Sequence, residues 1–500
     1  LIRCIHHLAA ASCVFLIAFS ATAQTLDSLL DSAKALGDQP YVSNSTPLTS
    51  PFADLTYNAF RGIRPIAGKS SMLEHSDKFA VDLLPPGLYY PDPVDIDLIT
   101  PSGLHSIAFS PSLFDFDKRY FADIPQDSPG AGFSGMRLRY SLNTPEHLDE
   151  VLVVQGGSYF RAVGQAMVYG MSARAIALGT GGLAAEEFPR FVHLRVHPAT
   201  NSTVRIEGVI DSPSLAAHMT MTLRPGVNTE TDIVTTVFPR VRITDIGIAP
   251  LTSMYLKGPM LSVTSDDFRP RVHDSDVLVI ENGEGEHLWR PIANPRNVET
   301  SAFVDSSPKR FGLYQTSRDF ESFQDSEARY HDRPSVTVEP LDAWGAGVVM
   351  LVEIPSTNEF LDNTVAFWRP HDALVPGREY RYAYRLTWTR EAADLGGLPL
   401  ILQGRSGLEH DRPGHRRFVI DVATQKYDAL PVISVSEGAE VLGASVFALP
   451  DQLGTRITFL FAPAADLDRA EIRMSLREKD GSPISPVWLH RWTRNRDGGV

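Results

Sequence analysis

Residues 378–390, REYRYAYRLTWTR, alternate without a break: Tyr380, Tyr382, Tyr384, Leu386 and Trp388 fall on one side of an extended chain, with charged or small residues on the other. Successive side chains of a strand point to opposite faces, so this pattern reads as a strand that buries one face of a sheet. EIRMSLRE, residues 471–478, repeats the pattern with Ile472, Met474 and Leu476. Glycine and proline, 36 of each, are spread through the chain, as suits many short strands joined by turns. The expected fold class is all-β, built as sandwiches.

Working outward, EAADLGGLPLILQG (391–404) interrupts the alternation with a Gly-Gly-Leu-Pro turn, and about a hundred residues of further alternating segments follow. This predicts a large β domain over 24–390, a linker over 391–400 and a small immunoglobulin-like sandwich over 401–500. At the other end, TLDSLLDSAKALGDQP (25–40) spaces Leu26, Leu29, Leu30 and Ala33 as one helical face, with Thr25 as the expected N-cap and Gly37 as the stop. Before it, LIRCIHHLAAASCVFLIAFSATA reads as a secretory signal over 1–23: one arginine, a short apolar run and an Ala-Thr-Ala cleavage site. The run is too short for an ordinary spanning helix, and no long apolar run follows, so no membrane insertion is expected.

Both cysteines, Cys4 and Cys13, lie in that segment, so the mature chain is expected to have neither disulfide nor thiol chemistry. Removing 1–23 takes Arg3 with it and leaves 45 basic against 60 acidic side chains, a balance of −15. Such a charge argues against nucleic acid or an anionic membrane surface as partner and suits a neutral, polyhydroxylated ligand.

Several chemistries fail on spacing. GIRPIAGKS puts five residues between Gly62 and Gly68 where a phosphate loop needs four. No G-x-S-x-G is present. His273, His287 and His331 show no metal-ligand spacing and read as hydrogen-bonding residues at strand ends, so no metal or cofactor is expected.

Two stretches remain. HDSDVLVIENGEGEHLWRP (273–291) and EFLDNTVAFWRP (359–370) each set aspartate before an apolar run that ends in Trp-Arg-Pro. If 273–280 is one strand, Ser275, Val277 and Val279 share one side and Asp274, Asp276 and Leu278 the other, which sends both aspartates to an open face or rim. Over 362–368, Asp362, Thr364, Ala366 and Trp368 share a face. Hydrolysis of a glycosidic bond needs one carboxyl group to protonate the leaving oxygen and a second to activate the nucleophile, while aromatic rings and guanidinium groups bind sugars. Arg290, Arg318, Tyr330, Trp344 and Trp368 are the expected substrate contacts. On composition alone the plainer reading wins: aspartates at strand ends are mostly turn-formers or solvated, strand aromatics are mostly core, and the charge-rich 317–333 stretch fits a surface loop.

A resemblance adds to this reading. GGSYFRAVGQAMVYGMSARAIAL, EEFPRF, APLTSMYLKGP, RPRVHDSD, WRPIANP, FGLYQTSRDFESFQDSEARYHDRPS, GAGVVMLVEIPSTNEFLDNTVAFWRP and REYRYAYRLTW, in this order, closely resemble the periplasmic glucans biosynthesis proteins of the MdoG/OpgG and OpgD family, from about residue 26 onward. The resemblance implies a large galactose-mutarotase-like β-sandwich followed by an immunoglobulin-like domain. It also implies a periplasmic role in making osmoregulated glucans with a β-1,2-linked backbone, beside a possible membrane glucosyltransferase. The implied chemistry is inverting endo-hydrolysis or transglycosylation of β-1,2-glucan, with Asp274 as general base, Asp362 as general acid and Asp276 as a neighbour. The acid's pKa would have to be raised, by partial burial beside Trp368. This chain reads FLDNT where relatives read closer to TNDNI, so its approach to the acid differs. The alternatives are a non-catalytic glucan-binding scaffold and, by fold analogy alone, a mutarotase-like epimerase.

Overall fold

The computed structural model describes residues 28–497, apart from 46, 67–68, 70–71, 77, 125–129, 183 and 259–265. The expected signal segment, Thr25 and Leu26 lie outside the described residues. Tyr380–Thr389 is a strand with Tyr382, Tyr384, Leu386 and Trp388 buried, and it sits inside a large sheet. It pairs antiparallel with Thr229–Pro239 on one side, Ile233 opposite Tyr384, and with Ser335–Pro340 on the other, Val338 opposite Leu386.

Among the described residues that sheet has fourteen strands, and a second has eleven. The two face each other across one apolar interior. Phe160 of the second sheet meets Trp388 of the first, ring centroids 6.1 Å apart, and Trp344 packs on Trp368 from one sheet and on Tyr382 and Tyr384 from the other. Interlocking aromatics of this size bury the most apolar area per residue, which is why the alternating segments resolve into a sandwich and the fold is all-β.

Past Thr389 the chain forms a four-stranded sheet over Ile401–Leu408, Arg416–Val422, Ala439–Ala448 and Thr455–Pro463. The strands Leu430–Val435, Arg469–Arg477 and Val487–Thr493 extend the fourteen-stranded sheet, because Val487–Thr493 runs parallel to His287–Pro291, with Trp488 opposite Trp289. A second apolar cluster therefore mixes Val277, Val279 and Trp289 with Phe418, Phe459 and Trp492.

Two expectations are corrected. The first helix is Leu29–Gly37, and its cap is Ser28, whose hydroxyl accepts from the Asp31 amide at 3.2 Å; Leu29 and Ala33 are buried against Val209 and Phe238, whereas Leu30 is exposed. A cap one residue before the first turn satisfies one of that turn's free amide donors. The stretch 273–280 is also not one strand. Val272–His273 pairs with Tyr255–Lys257, the chain turns through Asp274–Asp276, and Val277–Glu281 begins anew. Leu278 and Ile280 enter the large interior while Val277 and Val279 enter the smaller one, so this strand is covered on both faces.

Candidate active-site cleft

An open cleft of about 1290 Å³ lies against the eleven-stranded sheet, walled by strands Gly135–Tyr140, Asp149–Gln155 and Tyr159–Ala162, by the turn at Tyr89–Tyr90 and by the loop that ends at Asp362. Local sequence builds each wall. Gly156 and Gly157 take left-handed φ values of 71° and 55°, and a Cβ on Gly156 would lie 2.6 Å from the Tyr90 ring, so this turn needs glycine. The strand that follows alternates: Phe160 and Ala162 go into the core, and Tyr159 and Arg161 go to the cleft.

Asp362 stands where its loop meets strand Thr364–Pro370. Asn363 fixes that junction. Its buried side chain accepts from the Tyr255 amide at 2.8 Å and donates to the Tyr255 and Ile354 carbonyls at 3.0 and 2.9 Å. From there Ala366 and Trp368 point into the large core and Val365 and Phe367 away from it, the alternation expected of the strand. The Asp362 side chain remains 30% exposed, and its Oδ2 accepts from Arg161 Nη2 at 3.5 Å. Burial raises its pKa above the usual carboxylate value; Arg161 opposes this, and the charge of Asp274 raises it further. Trp368 lies six residues on, inside the core, and does not line the cleft.

Asp274 is near enough for its charge to reach Asp362, but it does not line the cleft. It is 2% exposed and its Oδ1 accepts from Arg333 Nη1 at 2.5 Å; that guanidinium lies 4.3 Å from the centre of the Tyr330 ring. Gly170, beside the cleft residues Tyr169 and Ser172, lets Arg333 come this close, since a Cβ there would sit 2.8 Å from Arg333 Cβ. Asp276 is buried too: its carboxylate accepts from the Thr316 amide at 2.8 Å and hydroxyl at 2.5 Å. The open-rim expectation for these two aspartates is therefore corrected. Each finds a remote partner that holds it inside, as a buried charge requires.

The five expected substrate contacts also lie away from the cleft wall. Arg290 is 1% exposed and pairs with buried Glu353 at 3.2 Å. Arg318 donates to Gln315 Oε1 at 2.9 Å and Ser335 Oγ at 2.6 Å, and burial pushes its pKa down to about 10. Tyr330 packs with Met254, Val272 and Phe323, and Trp344 and Trp368 form the aromatic core described above. These side chains have a better use for their area in the interior than at a ligand surface. His273 is likewise no hydrogen-bonding strand end: stacked on Tyr255 and edge-on to Phe323, it has no hydrogen bond at either ring nitrogen, and burial pushes its pKa down to about 4.

Asp362 is the one expected site residue on the cleft wall; the other residues that line it are not among the candidates read from the sequence. Tyr89, Phe188 and Phe360 are exposed aromatics on its walls, and Arg137 and Arg139 share the fully buried Asp82 at 2.5 and 2.7 Å. Tyr159 lies beneath Arg174, whose guanidinium is 4.7 Å from the ring centre. Among the described residues, no group of three or more His, Cys, Asp or Glu side chains converges as a metal site would need. Rings, guanidinium groups and a carboxyl group whose pKa burial raises, Asp362, make a surface suited to a polyhydroxylated chain and to proton transfer.

A family model described as periplasmic glucan biosynthesis protein, MdoG, matches residues 25–492. The chain is similar to Glucans biosynthesis protein G of Vibrio cholerae serotype O1 (strain M66-2), 37% identical over 475 residues, covering 93% of this chain and 86% of that one. It is similar to the proteins of that name from Shewanella baltica (strain OS195), 38% identical over 475 residues and covering 93% and 87%, and from Shewanella frigidimarina (strain NCIMB 400), 38% identical and covering 93% and 84%.

Proposed function

The chain belongs to the periplasmic glucan biosynthesis protein family MdoG, and from that premise we propose that its cleft cleaves linear β-1,2-glucan with inversion, releasing the chain to water or passing it to a sugar hydroxyl. The family supports a role in periplasmic glucan biosynthesis. Among the described residues no helix is long and apolar enough to cross a membrane. In this reading the nascent polymer comes from a membrane glucosyltransferase.

The observation that carries the proposal is Asp362: a carboxyl group on the cleft wall whose pKa is raised by burial and by a second carboxylate nearby. Such a group keeps its proton closer to neutrality and can deliver it to the glycosidic oxygen as the bond to the anomeric carbon breaks. Asp274 takes the proton of the attacking water or hydroxyl. Because Arg333 closes over Asp274, that proton travels through an intervening hydroxyl or water rather than by direct contact. Arg161 keeps the acid carboxyl oriented, and the rings of the cleft hold the sugars in line.

The test is incubation of wild type, Asp362→Asn and Asp274→Asn with linear β-1,2-glucan, followed by product size. Shortened or rearranged chains from wild type, lost in Asp362→Asn, support the reading. An unchanged polymer bound equally by all three proteins favours the second reading, a glucan-binding scaffold; the burial of Asp274 behind Arg333 is the feature that favours it.

A further inference from the structure

Phe360 is 91% exposed and Leu361 48% exposed, both at the lip of the cleft beside Asp362. The loop that carries them is tied down. Ser356 receives a hydrogen bond at its carbonyl from Asn294 Nδ2 (2.8 Å) and donates its amide to Asn294 Oδ1 (2.9 Å). The Phe360 amide donates to Asn358 Oδ1 at 3.0 Å, Glu359 pairs with Arg269 at 2.6 Å, and Asn363 latches the far end. An exposed side chain on a loose loop says little. A phenyl ring held in water by a fixed loop, next to a second apolar side chain, is a preformed contact surface.

The chemistry around it divides the cleft. Asp362 sits with Arg161 and Ser172, whose hydroxyl accepts from Arg161 Nε at 2.6 Å, so the depth of the site is polar. The lip is apolar. Two residues of chain span at most about 7 Å, so a sugar next to the oxygen that Asp362 protonates falls within reach of the Phe360 ring. The reacting ring needs hydroxyl contacts that distort it and belongs in the polar depth; the undistorted ring on the leaving side presents a C–H face that a flat aromatic covers.

We propose that Phe360, flanked by Leu361, is the stacking platform for the leaving-side glucosyl unit, and that it sets how tightly this protein grips glucan beyond the bond to be broken. The proposal rests on the glucan reading above. All six tryptophans are buried, so Phe360→Trp adds a single exposed reporter at the lip.

The experiment titrates β-1,2-gluco-oligosaccharides into Asp362→Asn protein, alone and with Phe360→Ala, Phe360→Tyr or Phe360→Trp added, following calorimetric Kd and, for Phe360→Trp, emission. Expected are about tenfold weaker binding with Phe360→Ala, affinity within about twofold of the parent for Tyr and Trp, a blue shift of Phe360→Trp emission on binding, and unchanged melting temperatures. Binding by Phe360→Ala within twofold of the parent overturns the platform and leaves the glucan reading standing. Loss in Phe360→Ala that neither aromatic restores overturns stacking. No binding of glucan by the Asp362→Asn parent removes the glucan reading and the platform with it.

Discussion

Replacing Arg161 with Met removes the guanidinium that donates to Asp362 Oδ2 at 3.5 Å, leaving Asp274, Arg174 and Arg333 as the charges that act on the acid. Both partners are partly in water, with side chains 40% and 30% exposed, so their attraction is screened. Two unit charges at this separation in a water-like medium interact by about 1 kcal/mol, or just under one pKa unit. The sign follows from the roles. Arg161 favours the ionised carboxylate, so its loss raises the Asp362 pKa further, and the acid stays protonated to higher pH. The basic limb of kcat against pH for β-1,2-glucan cleavage, read from new reducing ends or product size, is expected to move up by roughly half to one unit. Arg161→Lys, which restores a cation, should return the limb towards the wild-type position. A basic limb that stays put, or moves to lower pH, refutes the assignment of Asp362 as the acid tuned by Arg161.

Asp362→Asn should stabilise the fold at pH 7 and not at pH 3.5. A carboxyl group whose folded pKa lies above its unfolded value gives stability that is fully present below the unfolded pKa and is lost as pH rises through the folded pKa; thermal melts at the two pH values check this. Asp274→Asn leaves Arg333 without its carboxylate and should cost about 3 kcal/mol in urea unfolding, so its activity must be measured well below its melting temperature. Arg290→Met breaks a fully buried pair with Glu353 and should lower stability by about 3–5 kcal/mol while leaving kcat/KM of the folded protein unchanged; a selective rise in KM would return Arg290 to the substrate.

Strand alternation was legible because it is a local property: Tyr380–Thr389 and Arg469–Arg477 bury the faces their sequences mark, whatever their neighbours. The break at Asp274–Asp276 was not, since the groups that hold those carboxylates, Arg333 and Thr316, are remote in sequence and met only in the fold. Trp368 and Arg290 have compositions equally fit for a sugar or a core, and only the opposing sheet decides between them. The cleft aromatics Tyr89, Phe188 and Phe360 carry no pattern of their own, because their exposure is set by where loops end. The parallel pairing of Leu288 with Val487 joins segments some two hundred residues apart, a register that no local signal encodes.

The central claim is single-displacement cleavage by the carboxyl pair, and the most direct measurement of it is the anomeric configuration of the first product. Proton NMR of wild-type protein acting on linear β-1,2-glucan should show α signals at the new reducing end, or new α linkages if a sugar hydroxyl attacks, before mutarotation sets in, and none of these with Asp362→Asn. First-formed β signals, or products undiminished in Asp362→Asn, would contradict the account.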